Sequence, residues 1–119
     1  MKKIFVLDDN QELLDIVSHV LGKSYELYLK DDTENIIEEI RSFQPDLIIL
    51  DHYIGVHSST EIIAALRADN PEMTTPIILF SAHPNLGERA TEVGAAGYIV
   101  KPSNISFIRD YVNKILEDK

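Results

Sequence analysis

The sequence predicts an α/β domain: one open parallel sheet with helices on both faces. Three observations lead there. Short runs rich in Ile, Leu and Val recur along the chain, and they are apolar throughout rather than alternating, as strands covered on both faces are. Segments in which apolar residues return at helical spacing separate these runs. The chain has 119 residues, about 45% apolar and 26% charged, which suits one domain with one sizeable core.

The elements follow in order. A strand is expected at Ile4–Leu7, then a helix whose apolar face is Leu13, Leu14, Val17, Val20 and Leu21, with His19 off that face and solvated. A weaker strand, Leu27–Leu29, precedes a helix carrying Ile36, Ile37, Ile40 and Phe43. The third strand is Leu47–Leu50, and Ile62, Ile63 and Leu66 mark the third helix. Ile77–Phe80 is the fourth strand, and a thin fourth helix, interrupted by Gly87, is expected around Leu86, Ala90 and Val93. Tyr98–Val100 is the fifth strand, and Ile105, Ile108, Val112, Ile115 and Leu116 mark the last helix. Ser58 with Glu61 reads as a capping box, Gly22 and Gly94 as helix C′ residues, and Gln44-Pro45 and Asn70-Pro71 as breaks before strands. Strict βα alternation with short connections implies right-handed crossovers and a single sheet.

Composition narrows the function classes. Eleven Lys plus Arg against 20 Asp plus Glu leave a formal charge of −9, which disfavours direct binding to nucleic acid or anionic membranes but not to cations. With no cysteine, disulfides, thiolate metal sites and thiol nucleophiles are excluded. The apolar run after Met1-Lys2-Lys3 ends at Asp8, too short for a signal peptide, and no run approaches the ~18 residues of a transmembrane helix. A soluble, cytoplasmic domain is expected.

In open parallel sheets ligands bind beyond the carboxyl ends of the strands. Four strands end in polar residues of complementary type: Asp8-Asp9, Asp51, Ser81 and Lys101-Pro102. Each alone has a structural explanation. Asp9 fits a helix N-cap with Glu12 completing a box, Asp51 a loop acceptor, Ser81 a cap and Lys101 a solvated charge. Together they are harder to dismiss, because three carboxylates in one crevice repel one another unless a cation compensates. A hard divalent cation such as Mg²⁺ or Mn²⁺ suits an all-oxygen donor set and favours a phosphate oxygen as a further ligand. With a lysine and a hydroxyl nearby, these are the parts that bring a phosphoryl group to a carboxylate nucleophile.

The chain resembles the receiver domain of bacterial two-component response regulators. The likeness runs from Lys3-Ile-Phe-Val-Leu-Asp8-Asp9 through Pro45-Asp-Leu-Ile-Ile-Leu-Asp51 and Pro76-Ile-Ile-Leu-Phe-Ser81-Ala82 to Gly97-Tyr98-Ile-Val-Lys101-Pro102. The resemblance implies a single receiver domain over residues 1–119, stand-alone or part of a longer protein. It also implies the flavodoxin-like (βα)5 doubly wound fold, five parallel strands in order 2-1-3-4-5 flanked by five helices. It implies that Asp51 accepts a phosphoryl group from a histidine kinase or histidine phosphotransfer protein, and that Asp9, Asp51 and the Tyr53 backbone carbonyl ligate Mg²⁺ with Asp8 acting largely through water. Lys101 would pair with Asp51 and then with the phosphoryl oxygen. Ser81 would hydrogen-bond that oxygen, and the ring of Tyr98 would turn inward as Ser81 is recruited; the plainer role for Tyr98 is packing on the last helix. Tyr53 and His83 would flank the hydrolytic water and set the lifetime of the phosphorylated state, by crowding that water or, for His83, as a general base.

The sequence also departs from the family. Four residues after Asp51 stands Gly55 where proline is common, and eight residues after it Ser59 where glycine is common, so the loop's conformation and partner contacts are open. His52 and His57 lack the spacing of a zinc site. A phosphoacceptor switch competes with an Asp-nucleophile phosphohydrolase, which would need an acid where Tyr53 stands, and with a phosphorylation-independent adaptor, which would not need the acidic site. A receiver would not be an enzyme with turnover beyond slow self-catalysed phosphorylation and dephosphorylation. Its downstream protein partner is unnamed by the sequence, and self-association on phosphorylation through the last helix is left open.

Overall fold

A computed structural model of the chain describes residues 2–51, 53–54, 57–81, 97–100 and 105–117; for 53, 54, 57–60, 81, 100, 105 and 106 it describes the backbone alone. The strands are β1 (Lys3–Leu7), β2 (Glu26–Lys30), β3 (Leu47–Asp51), β4 (Tyr53–Ile54), β5 (His57–Ser58), β6 (Ile77–Ser81) and β7 (Gly97–Val100). The helices are α1 (Gln11–Leu21), α2 (Ile36–Phe43), α3 (Ser59–Asp69) and α4 (Ile105–Glu117). Five strands form one parallel sheet in the order β2-β1-β3-β6-β7, the 2-1-3-4-5 order that the resemblance implies.

Four of the five expected helices fall among the described residues. The fourth, around Leu86–Val93, and Gly94 lie outside them. One element was not expected: β4 and β5 form a small antiparallel pair, Tyr53 opposite Ser58 and Ile54 opposite His57, in the segment read as a loop.

Because side chains alternate along a strand, β1, β3 and β6 feed two separate apolar layers. Phe5, Leu7, Ile48, Leu50, Ile77 and Leu79 pack against α2 and α3. Ile4, Val6, Leu47, Ile49, Ile78, Phe80 and Ile99 pack against α1 and α4. Each large side chain removed from water here contributes about 1.5–3 kcal/mol. The helices bury the faces that their spacing predicts: Leu14, Val17 and Leu21 in α1, Ile36 and Ile40 in α2, Ile62, Ile63 and Leu66 in α3, and Ile108, Val112 and Leu116 in α4.

Helix limits follow local chemistry. Asn10, not Asp9, is the N-cap of α1, its side-chain oxygen accepting the Leu13 N–H at 3.3 Å. Gly22 is the C-cap itself, with φ −65° and ψ −17°, and not a left-handed C′ residue. Its N–H donates to the Ser18 carbonyl at 2.9 Å, and a Cβ there would fall against that oxygen, so close approach accounts for the glycine. Gln44 closes α2 in the left-handed region at φ 53°, its N–H on the Ile40 carbonyl, and Pro45 follows where the helix cannot continue. The backbone of α3 starts directly after Ser58, where the capping box places it, and ends at Asp69 ahead of Asn70-Pro71.

Candidate functional site

The carboxyl ends of β1, β3, β6 and β7 lie side by side. Leu7 registers with Leu50, Asp51 with Phe80 and Ser81 with Val100, so Asp8, Asp51 and Ser81 come to one edge of the sheet. Three carboxylates meet there. One oxygen from each of Asp8, Asp9 and Asp51 lies within 4.8 Å of the others. Asp8 is 1% and Asp51 8% exposed, the two buried acidic residues among those described, while Asp9 faces solvent.

Local contacts hold this arrangement. The Asp8 N–H donates to the Lys30 carbonyl at 3.1 Å, which extends the β1–β2 ladder by one residue and draws Asp8 into the sheet edge. Its carboxylate accepts the Asn10 N–H at 2.9 Å, turning the chain into α1. Since Asn10 takes the capping role, Asp9 is released from the structural role proposed for it and its carboxylate joins the cluster. Asn10 and Lys30 are the contributors that sequence reasoning overlooked. An Asn three residues before Leu13 was a readable cap signal, whereas a backbone carbonyl on a neighbouring strand leaves none.

The donor set is three hard oxygens, two of them buried, and such a cluster could hold a hard divalent cation. The backbone of Tyr53 lies two residues beyond Asp51 in β4, and its side chain is outside the described residues. Ser81 ends β6, again with its side chain outside them. Lys101, which directly follows Val100 of β7, and His52 and His83 lie outside the described residues altogether. Tyr98 projects from β7 and is 45% exposed, its backbone N–H donating to the Tyr111 hydroxyl of α4 at 3.2 Å. His19 is exposed in the last turn of α1, as its spacing predicts. No described helix is long and apolar enough to cross a membrane.

Comparison with known proteins agrees with this geometry. Residues 4–113 match the model of the response regulator receiver domain. The chain is 31% identical over 101 residues to hybrid signal transduction histidine kinase D of Dictyostelium discoideum, covering 83% of this chain and 6% of that protein. It is 27% identical over 118 residues to the alkaline phosphatase synthesis transcriptional regulatory protein PhoP of Bacillus subtilis, covering 97% and 48%. The chain thus spans less than half the length of either relative. Among solved structures, the chemotaxis response regulator CheY4 of Vibrio cholerae is 26% identical with a TM-score of 0.86, over 97% of this chain and 98% of that one. The BeF3-activated DrrB receiver domain is 27% identical with a TM-score of 0.83, over 98% of both. With the strand order, the acidic edge and a family match over nearly its full length, this chain belongs to the response regulator receiver domains of two-component systems.

Proposed function

We propose that this receiver takes a phosphoryl group from a phosphohistidine onto Asp51 and that the modified domain changes its affinity for a downstream protein. The observation that carries the reading is the buried carboxylate of Asp51 at the end of β3, within 4.8 Å of the oxygens of Asp8 and Asp9. An Asp51 oxygen attacks phosphorus, an O–P bond forms, the N–P bond breaks, and the donor imidazole leaves with the electron pair. Asp9, Asp51 and the Tyr53 carbonyl would hold Mg²⁺ or Mn²⁺, with Asp8 acting through water. When bound, that ion offsets the charge of the carboxylates and of the incoming phosphoryl oxygens.

Lys101 supplies a positive charge to Asp51 and then to the phosphoryl group, and Ser81 donates its hydroxyl to the same group. Tyr98, whose ring is exposed, turns inward as Ser81 is drawn toward the phosphoryl oxygen, and so carries the change to the β7–α4 surface. Tyr53 and His83 set the lifetime by crowding the hydrolytic water. The donor is a histidine kinase or histidine phosphotransfer protein, a reading supported by the hybrid histidine kinase among its relatives. The domain signals in the cytoplasm without enzymatic turnover and touches neither nucleic acid nor membrane directly.

The test is incubation with a small acyl-phosphate donor and Mg²⁺. The expected result is about one hydroxylamine-sensitive label per chain, absent from Asp51→Asn. Undiminished label in that variant, or multiple turnover by the wild type, overturns the reading.

A further inference from the structure

Strand β2 is the edge of the five-stranded sheet, and among the described residues it pairs with β1 alone. The Glu26 N–H donates to the Lys2 carbonyl and the Lys30 carbonyl accepts from the Asp8 N–H, so Glu26, Tyr28 and Lys30 direct their backbone groups toward β1. The parity of a strand then turns the N–H and C=O groups of Leu27 and Leu29 outward. A row of outward backbone groups is a template for a further strand.

We infer that this edge pairs with the β2 edge of a second copy of the chain, antiparallel about a two-fold axis at Tyr28. Two identical edges related by such an axis are necessarily antiparallel. The outward groups allow three two-fold registers, centred on Leu27, Tyr28 or Leu29. Centring on Leu27 sets Glu26 against Tyr28, and centring on Leu29 sets Lys30 against Tyr28. Only the register centred on Tyr28 uses all five residues of Glu26–Lys30. It makes Leu27 and Leu29 of the two copies a hydrogen-bonded pair and places Glu26 opposite Lys30 of the second copy, twice over.

Charge favours this occupant. Glu26 is exposed, whereas Lys30 Nζ lies 2.9 Å from Glu39 and 3.3 Å from Asp32. An ammonium carries three donors, so one remains for Glu26 of the other copy. Each chain has a formal charge of −9, so association is expected where salt of about 0.15 M screens the distant repulsion and leaves contact pairs in place. The interface does not involve Asp51 and forms without phosphorylation.

Sedimentation equilibrium of the unphosphorylated full chain tests it. Wild type should form a concentration-dependent dimer, and Glu26→Lys and Lys30→Glu should each weaken it roughly tenfold. An equimolar mixture of the two variants should recover the wild-type affinity, because each then faces its opposite charge at both contacts. Leu27→Pro removes an outward N–H that β1 does not use, and should weaken the dimer as well. Glu26→Lys alters an exposed side chain, and with Leu27→Pro it decides the matter even where Lys30→Glu, which adds a carboxylate beside Glu39 and Asp32, fails to fold. A wild type that stays monomeric into the millimolar range, or a dimer indifferent to Glu26→Lys, overturns the inference.

Discussion

Three consecutive residues, Asp8, Asp9 and Asn10, divide the work at the head of α1. Asp8 is buried and already accepts the Asn10 N–H, Asp9 is exposed, and Asn10 caps the helix. A carboxylate oxygen held by a backbone donor is less available to a cation than one that is not, so Mg²⁺ affinity should fall further in Asp9→Asn than in Asp8→Asn. Binding titrations of the two variants check the ranking; equal losses would count against it. Asn10→Ala removes the cap and should cost about 1 kcal/mol in denaturant unfolding. Its Mg²⁺ affinity should drop much less than that of Asp9→Asn, since the Asn10 backbone N–H that orients Asp8 is retained.

Elements differ in how clearly a sequence announces them. Strands β1, β3 and β6 were legible because buried parallel strands are apolar throughout, and the helices because their buried faces recur at helical spacing. The β4–β5 pair was not, since two residues per strand hold no period to detect. Asp9 and Asn10 can each cap a helix by residue type, and only the geometry that ties Asp8 to the Asn10 N–H selects between them. The acidic site was legible as residue types at strand ends, but its closeness depends on register between distant strands. At the opposite edge of the sheet, β7 meets α4 through Gly97, where a Cβ would collide with the Tyr111 hydroxyl and lie 3.1 Å from its Cζ. Gly97→Ala should therefore lower stability by about 1–3 kcal/mol. In a Tyr111→Phe background the cost should shrink, because the nearest colliding atom is gone. Thermal or urea unfolding of the four proteins measures both.

At the scale of the whole molecule, the acidic cluster of Asp8, Asp9 and Asp51 sits at one pole of the sheet. At the other pole, Arg41 Nε donates to Asp69 at 3.2 Å, and its Nη2 is also paired with that carboxylate, tying α2 to α3 over a cavity of about 350 Å³ lined by Ile37, Ile40, Leu66 and Met73. The hydrogen-bonded Asp69 carboxylate raises the Arg41 guanidinium above its ordinary value. This bridge is exposed and contributes little to stability, so cohesion comes from the two apolar layers. The sheet that parts those layers also insulates them. Ile48 and Ile49 are joined by a peptide bond yet serve opposite layers, whereas Ile49 and Ile78, 29 positions apart, register side by side in one. Energetic dependence should follow the layer and not the chain. Truncating Ile48 and Ile49 to Val should give additive losses, within about 0.5 kcal/mol, while Ile49 and Ile78 should depart from additivity by more than that. Double-mutant cycles would then show a fold whose sequence neighbours are thermodynamic strangers, free to drift independently, and whose distant partners must change together.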